Sequence, residues 1–287
     1  ALQLALTLAA AEIASRRAFP RQVSWWRRWA ARGTRQVAGR VLTGYTLAAF
    51  GLAYVALFYL VTRRVFGWWV PTELVENPNL MATRAPWLAG IAMSLEAGIW
   101  EEALFRVLPL SLLSLWVGTR TGRSRWMMLG VVATALLFGF AHASYASWPA
   151  YSRGVEIFLD ACLWGALVVW LGPLATMLGH FLYDLVLFGL FAAAGTAPAY
   201  RISAAIIALV ALAPAIVVGW QWWRQRGLVE VSDADLAGGM QVHEPEAPAE
   251  VALAIQLTTL SSRARWIALL LGASGLALSL AAPRRAT

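Results

Sequence analysis

The chain has 287 residues, of which 60% are hydrophobic and only 13% are charged. A soluble domain usually carries about 25% charged residues, so this composition excludes an ordinary soluble protein and indicates a membrane protein. The net charge is +8 and all 23 basic residues are arginine, but they lie between apolar runs, as cytoplasmic loops of membrane proteins require, so we expect lipid and not nucleic acid as their partner.

The first segment, residues 1–40, combines an apolar run with a basic stretch. Residues 1–14 are predicted to be part of a truncated membrane helix, and the stretch to residue 40 contains eight arginines together with Trp25, Trp26 and Trp29. Indole rings and guanidinium groups prefer the headgroup region of a bilayer. We therefore expect an interfacial segment on the cytoplasmic surface.

The following apolar runs are each about long enough to cross a bilayer as a helix. They predict an all-α, polytopic transmembrane helical bundle of about eight membrane helices, with a core over residues 41–223, a polar acidic loop over 224–263, and a final membrane helix with a basic tail over 264–287. The predicted spans are 41–62, 87–117, 126–146, 155–171, 173–194, 202–223 and 265–282.

Two further features of the chain bear on its topology. Pro109 is predicted to kink or end the helix that begins near Trp87, because proline lacks the N–H that a helix interior needs. If every span crosses, the basic segments before residue 41, at 119–125 and at 224–226 lie on one side, which the positive-inside rule assigns to the cytoplasm. The single Cys162 lies in an apolar run and excludes a disulfide framework or a Cys-based metal cluster.

Charged and imidazole side chains occur inside several of these spans. On insertion scales a charged side chain at the bilayer centre costs at least about 2.5 kcal/mol, so each one needs a partner or a function. We interpret Glu96 and Asp160 as groups that support the site residues or pack helices, and Glu156 as a group near an interface. His243 lies in the acidic loop, where a solvated segment is expected. The side chains inside the spans include Glu96, Glu101, Glu102, Arg106, His142, Glu156, Asp160, His180 and Asp184.

Helical spacing groups these residues, because side chains four positions apart lie on one face of a helix. Glu102 stacks over Arg106 and His180 over Asp184, as does Phe138 over His142. Glu102 and Arg106 form the obvious structural ion pair. Glu101 has no such partner and is a candidate general base, the alternative being an ion network that only holds helices together.

The two imidazoles suit two kinds of chemistry. They can polarise a water molecule or stabilise an oxyanion, with Asp184 fixing the tautomer of His180. They can also bind zinc together with a carboxylate, in which case His142, His180 and Glu101 would be the ligands. The usual His-Glu-x-x-His spacing of zinc proteases is absent, so we expect no metal cofactor and keep zinc as the alternative.

Three motifs occur in order: Glu101-Glu102-Ala103-Leu104-Phe105-Arg106, Phe138-Gly139-Phe140-Ala141-His142 and His180-Phe181-Leu182-Tyr183-Asp184. This order resembles the CAAX-protease and bacteriocin-processing (CPBP, ABI-type) family of intramembrane endopeptidases, over roughly residues 85–195. The resemblance implies a fold related to the CAAX prenyl endopeptidases. It also implies catalytic roles for Glu101, His142, His180 and Asp184, with Glu102, Arg106 and Phe138 in support.

The resemblance predicts an intramembrane endopeptidase of the glutamate type that is itself a multi-pass protein of a bacterial inner membrane. Its substrate would be a membrane-associated peptide or protein. Asp184 stands where the prenyl-protein proteases usually have Asn, which favours the bacterial branch over a prenylated CAAX substrate. The alternatives are a non-catalytic subunit or scaffold of a larger membrane complex and, with no inverted repeat to favour it, a proton-relaying transporter.

Overall fold

The computed structural model describes residues 2–19, 33–69 and 85–230. In these ranges the chain forms seven helices and, apart from two isolated backbone bridges, no β-structure. The helices are α1 (Leu2–Ala18), α2 (Arg35–Phe66), α3 (86–117), α4 (Arg123–Ala141), α5 (Ser152–Leu171), α6 (Pro173–Ala194) and α7 (Pro198–Gln225).

Five of these helices, α2 and α4 to α7, are long and apolar enough to cross a membrane. The predicted all-helical membrane fold is thereby confirmed, although helix ends shift by up to six residues. The first complete span begins at Arg35 and not at residue 41, since the Thr34 hydroxyl accepts a hydrogen bond from the Val37 N–H and caps the helix. The last span at 265–282 and most of the acidic loop lie outside the described residues, so the count of about eight stays a prediction.

The helix α3 is continuous but changes width along its length. Its ends, Pro86–Leu95 and Leu108–Val117, are α-helical, whereas Glu96–Glu101 and Ala103–Val107 are π-helical, with each N–H bonded five residues back. The helix continues through Pro109, so of the two predicted effects, a kink or an end, the end is not observed. In an α-helix, proline disrupts the hydrogen bonding to the fourth residue back. The π-helical turns before Pro109 bond to the fifth residue back instead, and the chain stays helical.

The helices pack around α6, which contacts α2, α3, α5 and α7. The remaining helices lie at the side of this group, with α4 against α5 and α1 against the second half of α3. Because a helix in the centre of a bundle meets several neighbours, polar side chains on α6 can reach groups from more than one of them.

Short contacts between loops divide the helix ends into two faces. Thr34 forms a bridge with Val229, which places the start of α2 beside the end of α7. At the other end of α2, Trp69 forms a bridge with Trp148 of the α4–α5 loop. We call the face with the Thr34–Val229 bridge the basic face, and it also holds the α3–α4 and α5–α6 turns. We call the face with the Trp69–Trp148 bridge the opposite face.

Candidate functional site

The helices that carry the first and third motifs approach each other very closely. A Cβ atom on Gly98 would lie 2.7 Å from the Met177 carbonyl oxygen and 2.7 Å from the Phe181 backbone nitrogen. Such contacts are shorter than any real Cβ contact, so only glycine permits this approach of α3 to α6. The approach brings the acidic pair of α3 against His180.

A buried polar network forms at this crossing. Glu102 is fully buried, and its Oε1 accepts hydrogen bonds from the Arg106 guanidinium and from His180 Nδ1, the latter over 2.9 Å. The ion pair predicted from the spacing of Glu102 and Arg106 is therefore present. The Arg106 guanidinium also lies 4.2 Å from the centroid of the Phe138 ring, so the network extends from α3 to α4.

His142 is held at the end of α4 by its own helix. Its Nδ1 lies 2.8 Å from the Phe138 carbonyl oxygen, which can only accept, so Nδ1 carries the proton and Nε2 of the neutral ring is an acceptor. The Phe138 ring contacts both imidazoles, with centroid distances of 4.6 Å to His142 and 6.0 Å to His180. Phe138 thus separates and positions the two rings.

The predicted role of Asp184 as the group that fixes His180 differs from the structure. Asp184 Oδ2 lies 3.8 Å from His180 Nε2, beyond hydrogen-bond distance, whereas Glu102 bonds Nδ1 at 2.9 Å. The hydrogen bond that orients His180 therefore comes from Glu102. The i,i+4 spacing put Asp184 near the ring, but the closer partner comes from another helix.

A cavity of about 280 Å³ lies between α3, α4, α5 and α6. The four residues to which the sequence assigns catalysis, Glu101, His142, His180 and Asp184, all line it. The predicted spans placed His142 nearer the outer face than Glu101. In the structure α4 ends before His142, and Glu101 acts electrostatically on that imidazole, so both belong to one site.

Glu96, interpreted from the sequence as a group that supports the site or packs helices, also lines the cavity. In an α-helix, residues five apart are rotated by about 140° from each other, since each residue turns the helix by about 100°. Glu96–Glu101 is π-helical, and there the residue five positions on lies above the first. The wide turn thus brings Glu96 to the same side of α3 as Glu101.

Glu156 and Asp160, on α5, line the cavity as well. Glu156 Oε2 accepts a hydrogen bond of 2.5 Å from Arg153 and one of 3.2 Å from the Tyr59 hydroxyl of α2. Asp160 lies in the electrostatic field of Arg106 and beside the Trp164 indole. The sequence analysis missed Arg153, although its spacing of three from Glu156 on one helix was an available signal.

The electrostatics of His142, which follows the span Arg123–Ala141, favour its neutral form. Burial lowers its pKa from the ordinary value of 6.5. The imidazole is therefore neutral at pH 7 and presents an acceptor nitrogen. Across the ranges that the structure describes, no group of three His, Cys, Asp or Glu side chains is placed to hold a metal ion.

These observations define a multi-pass helical membrane protein with a polar cavity among its helices. Residues 83–186, a segment that contains all three motifs, match the family described as type II CAAX prenyl endopeptidase Rce1-like. The family is one of intramembrane proteases of the CAAX type.

A curated relative extends this comparison to bacteria. The chain is 24% identical over 113 residues to the sporulation-killing factor biosynthesis protein SkfC of Bacillus subtilis (strain 168), which is 39% of this chain and 21% of that protein. The match thus spans about a fifth of the length of this relative. No solved structure matches the chain.

Proposed function

We propose that this protein is an intramembrane endopeptidase of the bacterial inner membrane, and that Glu101 activates the water that cleaves a membrane-associated peptide or protein. The observation that carries the proposal is the joint presence of Glu101, His142, His180 and Asp184 around one cavity. Adjacent carboxylates differ in their environment there. Glu102 is neutralised by Arg106, whereas Glu101 forms no hydrogen bond or ion pair with any residue that the structure describes.

The reaction follows from these positions. Glu101 accepts a proton from water, and the water oxygen attacks the carbonyl carbon of the scissile peptide bond. The C–N bond then breaks as Glu101 returns the proton to the departing amine. Because water is the nucleophile in this proposal, no covalent enzyme intermediate forms.

Neutral His142 would assist as an acceptor. Nδ1 of each ring is engaged, in His142 with the Phe138 carbonyl and in His180 with Glu102, so Nε2 is the atom left to interact with water. Oxyanion stabilisation by neutral His142 would need an Nε2–H. We therefore assign that task to Arg153, whose guanidinium donates, lines the cavity and is anchored by Glu156.

The proposal is tested by Glu101→Gln in the native host, with N-terminal proteomics of the membrane and secreted fractions. Removal of a general base should lower the yield of specific new N-termini at least about 100-fold. Glu230→Gln is the matched control, because it makes the same chemical change at an exposed carboxylate on the basic face. Both variants must accumulate like the wild type.

A second arm of this experiment, with a zinc chelator, tests whether cleavage needs a metal ion. Cleavage that depends on Glu101 and persists after treatment with a membrane-permeable zinc chelator supports a metal-free reaction. Unchanged N-termini in Glu101→Gln, together with stable co-purification of other membrane proteins, would instead favour the scaffold function and reject the protease proposal.

A further inference from the structure

We infer that the cavity opens toward the extracytoplasmic face of the membrane, so that it receives a protein segment already moved across the bilayer. That the segment entering the cavity is a substrate rests on the proposed function, whereas the orientation of the cavity rests on the structure alone. Three observations lead to it: where the cavity lies along the helices, what closes its inner end, and how arginine is distributed.

The cavity lies in the half of the bundle next to the opposite face. Its lining includes His142 and Tyr145 from the α4–α5 loop, and Arg153 and Glu156 from the first turns of α5. Among the described residues, none in the loops on the basic face lines the cavity. The cavity therefore has its entrance at the α4–α5 loop.

The half next to the basic face is filled by apolar side chains. One buried cluster there joins α1, α3, α4, α5 and α6, and its members are at most 9% exposed. Such a packed layer leaves no path for a polypeptide. The cluster comprises Ala11, Ala103, Val107, Leu110, Met127, Val131, Val168 and Met177.

Arginine distribution orients the two halves. Counting the described ends and loops of α2 to α7, the basic face carries seven arginines, Arg35, Arg40, Arg120, Arg123, Arg125, Arg224 and Arg226. The opposite face carries four, Arg63, Arg64, Arg153 and Arg201, and of these Arg153 is neutralised by Glu156. Short loops rich in arginine stay in the cytoplasm. The opposite face is therefore extracytoplasmic.

The entrance has the chemistry of a membrane surface. Tyr145, Trp148 and Tyr151 of the α4–α5 loop are 38%, 63% and 52% exposed. Aromatic residues of this kind lie at headgroup level. A polypeptide that enters here would thus be the segment next to a membrane anchor, where the chain emerges from the bilayer on its outer side.

The orientation is tested by single-cysteine labelling of the full chain. Cys162→Ser removes the native thiol, and Ala146→Cys or Thr196→Cys places one on the opposite face, with Thr121→Cys as the matched control on the basic face. All three positions are exposed. Spheroplasts are treated with a membrane-impermeant maleimide, before and after permeabilisation with detergent.

Before permeabilisation, we expect at least tenfold more labelling of Ala146→Cys and Thr196→Cys than of Thr121→Cys, and equal labelling afterwards. Labelling of Thr121→Cys alone, or equal labelling of both faces in intact spheroplasts, overturns the inference. The readout does not depend on cleavage. A reversed pattern therefore rejects the orientation and leaves the protease proposal to the Glu101→Gln experiment.

Discussion

Replacement of Arg106 by methionine tests the buried network at the crossing of α3 and α6. The side chain of Arg106 is 4% exposed and that of Glu102 is 0% exposed, so the pair is removed from solvent. Arg106→Met keeps most of the side-chain volume but leaves the Glu102 carboxylate without its counter-charge. Breaking a buried pair in this way costs about 3–5 kcal/mol.

The structure favours the upper part of that range. Glu102 Oε2 is buried and has no hydrogen-bond partner among the described residues, and the variant also loses the contact of the guanidinium with the Phe138 ring, worth about 2 kcal/mol when desolvated. At about 2–4 °C per kcal/mol, the thermal midpoint in detergent should fall by roughly 10–20 °C. The assay is thermal unfolding of the purified protein followed by intrinsic tryptophan fluorescence.

The double variant Glu102→Gln with Arg106→Met is the control. It removes both charges, so its midpoint should lie above that of Arg106→Met. An Arg106→Met midpoint equal to that of the wild type, or a double variant less stable than the single one, would refute the view that an unpaired buried carboxylate causes the loss.

Two further predictions concern the helix crossing and the pH profile. Gly98→Ala should prevent close approach of α3 to α6 and lower the yield of folded protein several-fold in size-exclusion chromatography. Gly39→Ala is the control and should not lower the yield, because a Cβ at this position meets nothing within 4 Å. Equal yields of the two variants would contradict the packing argument. Cleavage should require neutral His142, whose pKa is lowered from 6.5, so kcat/KM should fall with decreasing pH only below pH 6.5. An acid limb centred at or above that value would exclude His142 as the acceptor.

Local contacts of the site could be predicted from the sequence because they follow helical spacing. Glu102 with Arg106 and Phe138 with His142 are each four residues apart, and both pairs are in contact in the structure. The apolar runs likewise identified α2 and α4 to α7 as membrane helices. Each of these predictions needs only the period of an α-helix and the thickness of a bilayer.

Contacts between helices could not be predicted in this way. The hydrogen bond from His180 to Glu102 joins residues 78 positions apart, and it depends on a crossing that Gly98 permits. The position of Glu96 beside the cavity depends on the local helix type. Glu96–Glu101 is π-helical, which the spacing of residues in the sequence does not reveal.

The wide turn of α3 has a consequence for comparing this chain with others. A π-helical turn is related to an α-helical one by a single inserted residue. In a relative that lacks this residue, the acid equivalent to Glu96 would stand four positions before the first Glu of the motif and not five, because four α-helical residues make about one turn. Ungapped alignment would then pair Glu96 with a residue on another side of the helix, so acids at the same place in the cavity wall would be missed while the motif itself stays aligned.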